Sequence, residues 1–337
     1  MTAPSSSAVT ADDWRAATNA AVVTESTGLG LLAVSGPDAA AFLHGQLSND
    51  VKGLAPGAGR WATYNSPKGR VLASLFVWRA PDGPGDRYLA LVGEDIAASM
   101  RSRLAMFVLR SKVVVADETA ATVRFGISGP LAEAAVAALG AVPERGSAVA
   151  VDGGTVVRLP DGRYAVAATA SAAARVRTLL QQHARGVGRD VWEWLAIRAG
   201  VSMVTAATQD RFVAQMANWD ALGGLDFHKG CYPGQEIVAR THHLGRLKER
   251  MFAYRTPGAP PAPGARLFGA PFGDQPCGTV VNAAPDPEGG ARFLAVVQID
   301  AAQGPLAIDS PDGPTAVGVP LPYPLPAPSE PRGRVRL

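Results

Sequence analysis

The residues with the most possible chemistry lie in one run, His228–Arg250, HKGCYPGQEIVARTHHLGRLKER. It holds three of the five histidines and one of the two cysteines, so titratable and nucleophilic groups concentrate there in an otherwise apolar chain. Lys229, with Arg240 or a protonated histidine, would favour the thiolate of Cys231 and make it a candidate reactive group. A free cysteine also serves as a small buried apolar side chain, and the local sequence leaves both readings open. Gly230 lets the backbone approach a ligand closely, and Pro233-Gly234 sets a tight turn. Gln235 and Glu236 follow that turn and could open a short helix, with Glu236 suited to its dipole and Arg240 spaced to pair with it. Simple capping is the plainer role for both. The spacing of His228 and Cys231 suits a soft metal, with His242 and His243 as further donors. On an extended segment, adjacent histidines point to opposite faces, so no permanent metal site is expected.

The elements that position this run can be read from periodicity. Apolar Leu222–Phe227 leads in, and Leu244 with a Gly245-Arg246 turn leads out. Asp38–Leu47 has helical spacing and ends in Ser48-Asn49-Asp50, residues typical of turns and caps. Arg60–Tyr64 and Val71–Trp78 alternate as strands around a cationic hairpin loop, Asn65–Arg70, in which Lys68 and Arg70 could meet an anion. Glu94–Leu109 reads as one amphipathic helix. Strand and helix patterns then repeat to Trp192–Ala199. Beyond Gly245 the segments Arg250–Arg255, Gly278–Asn282 and Phe293–Ile299 are strand-like and separated by Gly/Pro-rich turns, which predicts a small all-β domain. Gly28-Leu29-Gly30-Leu31-Leu32-Ala33 matches the dinucleotide fingerprint only by chance, because the strand starts within it and no helix opens there. Irregular alternation with frequent hairpins argues for an α+β chain over a doubly wound sheet.

The octapeptide KGCYPGQE, followed by IVAR and THHLG, resembles the signature of the YgfZ proteins. These are folate-binding relatives of the aminomethyltransferase (T-protein) of the glycine cleavage system, and they include the mitochondrial iron–sulfur assembly factor. FLHGQLSNDV, residues 42–51, is similar to the family's second signature, FLxGQxTxDV, with Ser48 in the threonine position. FVAQMANW precedes the first signature in the family's manner. The resemblance implies a cloverleaf of two interleaved ferredoxin-like subdomains plus a C-terminal β-barrel around a central folate cavity. The chain then divides into a flexible arm (1–19), a folate-binding region (20–245), the barrel (246–311) and a Pro-rich tail (312–337). The resemblance further implies tetrahydrofolate as cofactor, with Asn49, Asp50, Tyr64, Arg70 and Asn218 as its contacts. Cys231 becomes an essential thiol in a signature loop of Lys229, Gly230, Tyr232, Gly234, Gln235, Glu236 and Arg240. Iron–sulfur client proteins or assembly factors become the partners, and the chain is expected to act as a monomer.

Two departures from the aminomethyltransferase pattern bear on activity. In that branch a Gly-x-x-x-Asp-Asp turn carries the catalytic carboxylate; here the matching positions run from Gly69 to Ala73 and Ser74, and neither alanine nor serine is charged at neutral pH. The relatives' pterin-anchoring glutamate, in an Arg-x-Glu-Ala-Gly context, is matched by Arg198 in Ala196–Gly200, and a guanidinium accepts no hydrogen bond. Glycine cleavage is therefore not expected. The resemblance instead implies an accessory factor in assembly or repair of iron–sulfur clusters. One cysteine cannot hold a cluster that takes four ligands, so no resident cluster is expected. The alternative is a folate-dependent one-carbon transferase or demethylase that would draw on Asp50, Asp226 or Glu236 as its acid or base.

Composition agrees with a soluble globular chain. Its 337 residues are 47% hydrophobic and 18% charged, with a net charge of +3 from dispersed Lys and Arg, so a nucleic-acid partner is not expected. Cys231 and Cys277 are too few for a disulfide framework and fit a reducing compartment. With no secretory leader pattern at Met1–Trp14 and no long apolar run, neither export nor membrane insertion is expected, and the cytoplasm is the default. Cys277, without a charged neighbour closer than Asp274, reads as structural.

Overall fold

The computed structural model describes residues 9–82, 86–243 and 247–326. Val22–Thr24 enters a six-stranded sheet ordered Arg185–Gly186, Val22–Thr24, Thr122–Ser128, Tyr164–Thr169, Gly154–Arg158, Ser147–Val151. Between its first and later strands the chain leaves to build a five-stranded sheet, ordered Gly59–Asn65, Val71–Arg79, Arg87–Gly93, Leu29–Ser35, Val114–Asp117. That exit and return is the interleaving of the two α+β units. A closed six-stranded barrel follows, formed by Glu249–Thr256, Ala291–Gln298, Pro276–Pro285, Arg266–Gly269, Leu306–Ile308 and Thr315–Val319.

The local sequence accounts for these roles. Val71–Arg79, VLASLFVWR, is apolar on both faces because it is covered on both sides. Helices Ala39–Gln46 and Ala97–Ala105 bury Phe42, Leu43, Met100 and Leu104 in the same core. Helix Arg189–Arg198 joins the three bodies. Its Val191, Trp194 and Ile197 pack with Met251, Val281 and Leu294 of the barrel, while Trp192 belongs to the core of the five-stranded sheet. The Trp192 ring lies against Gly126, where any side-chain carbon would come within 2.7 Å of it.

Several expectations need correction. The arm is ordered from residue 11: Ala11–Asn19 is a helix with a Thr10/Asp13 capping box, and Trp14 packs edge-on to Trp194 at 5.2 Å. The barrel runs past residue 311, since Thr315–Val319 closes it, and Tyr323 beyond it donates to the Gly200 carbonyl at 2.7 Å. A proline-rich stretch still supplied a strand because Thr315–Val319 itself contains no proline. The expected helix Glu94–Leu109 divides into a 3₁₀ turn, Glu94–Ile96, and a helix that stops at Ala105, ahead of Leu109 at φ 47°. Residues 1–8 of the arm, the Leu244–Arg246 exit turn and residues 327–337 of the tail lie outside the described residues.

Candidate functional site

The signature run folds as a loop followed by helix Gln235–His243. Asp226 starts the loop by accepting the backbone N–H groups of His228 and Lys229 on one oxygen, at 2.8 and 3.2 Å. Lys229 then turns inward. Its Nζ donates to the carbonyls of His44 and Leu47 at the end of helix Ala39–Gln46, and lies 4.9 Å from the centre of the Tyr232 ring. Burial pulls the Lys229 ammonium down to about 8, against the opposing pull of Asp226, Asp50 and Cys231. Burial also pushes the Tyr232 hydroxyl up to about 12. Cys231, between these two anchored residues, is exposed, whereas Cys277 is buried in the barrel.

Gln235 caps the turn, its Oε1 accepting the Tyr232 N–H at 3.2 Å. Glu236 and Arg240 are both exposed. Gly234, at φ 76°, packs against Ser66 and Gly69 of the hairpin loop, and Ile237 covers Gly69. The cationic hairpin is thus a seat for the signature loop. Arg70 donates to the Arg211 carbonyl.

His242 and His243 are in the helix, which corrects the expectation of an extended segment. Their helical capacity had been hidden by the β-branched and polar residues around them. His242 stacks on Phe227 at 3.8 Å, and burial followed by the nearby His243 holds it below the usual histidine range. Among the described residues no group of three or more His, Cys, Asp and Glu side chains is placed to share a metal ion.

The Ser48–Asp50 turn splits into two roles. Ser48 accepts the Thr63 N–H and donates to the Gly224 carbonyl, both at 2.7 Å, and Asn49 donates to the carbonyls of Trp61 and Gly223. Both are buried staples between the sheet and the segment that leads into the signature. Asp50 faces outward, pairing with His44 Nδ1 at 2.9 Å and approaching Arg60 at 3.9 Å. Burial alone would raise the Asp50 carboxyl, but the Gly53 N–H, Arg60 and His44 bring it below the usual range. Burial and the Lys229 charge hold His44 below its usual value despite Asp50. With Nδ1 engaged by Asp50, Nε2 of His44 faces the loop, 3.7 Å from where a side-chain carbon on Gly230 would stand.

A narrow cleft of about 60 Å³ lies elsewhere, where the two sheets, helix Arg189–Arg198 and the barrel meet. Trp61 and Trp192 contribute its aromatic surface, Val201 and Met203 its apolar surface, and Arg189 and Glu193 a paired charge at 2.6 Å. Asn282 enters from the barrel with its buried Oδ1 unpartnered. Ser74, at one of the positions without a carboxylate, accepts the Val204 N–H at 2.9 Å and so secures the segment that carries Met203.

None of Asn49, Asp50, Tyr64, Arg70 and Asn218 lines this cleft. Tyr64 is buried on the face of strand Gly59–Asn65 opposite Trp61, as strand alternation requires. Asn218 sits at φ 61° and joins the core to the barrel, donating to the Met251 carbonyl at 2.8 Å and accepting from Arg250 at 3.3 Å. Sequence reasoning missed Trp61, Trp192, Glu193 and Asn282 because cavity-lining and core residues share one apolar pattern. A tryptophan with a carboxylate beside it, Trp192-Glu193, was the available signal.

Comparisons with known proteins agree with this architecture. Residues 3–144 match the GCVT N-terminal domain family. The chain is 32% identical over 307 residues to the tRNA-modifying protein YgfZ of Sodalis glossinidius, covering 87% of this chain and 90% of that protein. It is 30% identical over 259 residues to the protein of the same name from Klebsiella pneumoniae, covering 74% and 73%. In structure it is similar to the glycine cleavage system aminomethyltransferase T of Bartonella henselae, with a TM-score of 0.71 over 90% of this chain and 86% of that one. At 16% identity this last likeness establishes the fold alone.

Proposed function

The chain belongs to the YgfZ family, and on that premise we propose that it is a tetrahydrofolate-binding accessory protein in the assembly or repair of iron–sulfur clusters of client enzymes. The observation that carries this reading is the separation of two sites: a cleft lined by Trp61 and Trp192, and an exposed thiol on a loop outside it.

The lining of the cleft carries the chemistry that a folate needs. Trp61 and Trp192 offer ring faces for the pterin. Glu193 and the unpartnered Asn282 carbonyl oxygen offer acceptors to its N–H groups, and the exposed Arg189 offers donors to an anionic glutamyl tail. Bound tetrahydrofolate supplies a carrier for one-carbon units. What this chain's own residues do is bind it, exclude water around it and hold it away from the thiol loop.

Cys231 is the group that meets a client. An exposed cysteine sulfur can take one coordination position on iron, giving up its proton as it binds, and leave the others to the recipient protein. Lys229 fixes the loop that carries it, through the His44 and Leu47 carbonyls. The relatives' name, tRNA-modifying protein, fits a factor that serves a cluster-containing enzyme of tRNA modification and need not touch tRNA itself.

Two measurements test the reading. Titration of 5-formyltetrahydrofolate should quench tryptophan fluorescence in the wild type, with Trp192→Ala losing the signal; no binding by the wild type rejects the folate site. In a deletion host, [4Fe–4S] enzyme activities under oxidative stress should be restored by the wild type and not by Cys231→Ser. Cluster enzymes unaffected by the deletion would reject the accessory role and send the search to N-methyl donors.

A further inference from the structure

A second, open cleft of about 470 Å³ lies on the other side of helix Arg189–Arg198, between the Asp161-Gly162 turn and the Ser128–Glu133 segment. Four guanidiniums line it, those of Arg145, Arg158, Arg163 and Arg198, against two carboxylates, Asp161 and Glu133. Asp161 is committed to Arg163 at 2.7 Å in a buried pair. Glu133, 62% exposed, lies 3.4 Å from Arg158. Arg145 donates to the Pro160 carbonyl at 3.3 Å, and among the described residues neither Arg145 nor Arg198 has a carboxylate partner. The cleft therefore holds uncompensated positive charge in a chain whose net charge is only +3.

The cations are also held in place. Arg158 lies over Tyr164 at 5.1 Å, Arg163 over Trp192 at 4.4 Å and Arg198 over Trp194 at 4.7 Å. Arg145 covers Gly162, its Nη2 standing 3.2 Å from where a side-chain carbon would be. Stacking on a ring fixes the guanidinium plane and leaves the N–H edges of Arg158 and Arg198 available, whereas Arg163 spends its Nε and Nη2 on Asp161. Groups ordered before a ligand arrives lose less entropy when it binds.

We propose that this cleft binds a ligand carrying two or more phosphate groups. Guanidinium edges match phosphate oxygens in pairs, and several stacked edges around one space suit several phosphates better than a single carboxylate. The polar walls offer little to an apolar body. The same oxyanion chemistry is presented by a free polyphosphate and by the backbone of single-stranded RNA. The site is distinct from the folate cleft, since of these arginines only Arg163 lines both.

The test uses the full chain, with inorganic pyrophosphate in calorimetry and a short labelled single-stranded RNA in anisotropy at two salt concentrations. Wild type should bind at least one probe. The Arg145→Ala, Arg198→Ala double variant should weaken that binding by about tenfold and, for RNA, flatten the salt dependence by roughly two released counterions. Arg145→Lys with Arg198→Lys keeps the charge and the fold and should fall between the two. Folate binding should be unchanged in all variants, which separates this site from the first. Tighter binding of pyrophosphate assigns a small phosphate; tighter binding of RNA assigns the backbone. Failure of both probes to bind the wild type at low salt, or undiminished binding by the folded double variant, overturns the proposal.

Discussion

Gly234 of the signature loop stands so close to Gly69 of the hairpin that a side-chain carbon on Gly234 would lie 2.7 Å from the Gly69 Cα. Both residues have positive φ, 76° and 72°, so each position excludes a side chain by contact and by conformation. Gly234→Ala should destabilise the protein by about 1–3 kcal/mol, read by chemical denaturation. Because the two glycines share one contact, Gly69→Ala combined with Gly234→Ala should cost less than the two single effects added. Strict additivity would mean that the loops do not seat on each other.

Lys229 links the loop to helix Ala39–Gln46, and its depressed value of about 8 has a definite sign in stability. Below that pH the ammonium is charged both folded and unfolded, and folding bears its desolvation. Between about 8 and the unfolded value near 10.5, the unfolded chain binds more protons, so this group makes stability rise with pH. Lys229→Met should remove that rise. The difference between the two pH–stability curves should reach roughly 1–3 kcal/mol across the window, at the lower end once solvent screening is counted. Parallel curves from pH 7 to 10.5 would contradict the assignment.

Much of this was legible in the sequence where periodicity or rare residue order carried it. The hairpin around Asn65–Arg70, the barrel strands and the dense Cys231 loop follow from alternation, turn residues and the signature. The five expected folate contacts are not gathered at the Trp61–Trp192 cleft. Asn49 and Asn218 look like ligand-binding amides, yet both spend their side chains on backbone groups across the fold, which only tertiary structure reveals. Trp61 and Trp192 look like core, and they are core on one side and cleft on the other. Arg198 stands where the aminomethyltransferase pattern expects a glutamate. Its helix turns it into the second cleft instead, away from Glu193.

The two cysteines should separate cleanly. Cys231 is exposed, so Cys231→Ser should change stability by no more than about 0.5 kcal/mol while abolishing support of cluster enzymes. Cys277 is 2% exposed, and burial pushes its thiol above the usual range. Cys277→Ser places a hydroxyl in that apolar site and should cost about 1–3 kcal/mol with function retained at low temperature. Under native conditions iodoacetamide should modify Cys231 alone, detected by mass spectrometry of the two peptides.

Arg250, on the first barrel strand, and Asp220, after the Ala214–Ala217 turn, form the joint between the barrel and the rest. Their contacts are two-pronged, Nη1 to Oδ1 at 2.7 Å and Nη2 to Oδ2 at 2.9 Å, with both side chains nearly buried. Arg250 also donates to the Gln215 carbonyl at 2.8 Å, so its charge is fully engaged. Removing one partner strands the other: Asp220→Ala should destabilise by about 3–5 kcal/mol. Replacing both with apolar residues, Asp220→Leu with Arg250→Met, removes the stranded charge and should recover much of that loss, although the Gln215 carbonyl and Asn218 lose a donor. The pair therefore predicts a specific order of stability by denaturation: wild type, then the double variant, then Asp220→Ala. A double variant less stable than Asp220→Ala would mean that Arg250 holds the joint through Gln215 and Asn218, with Asp220 incidental.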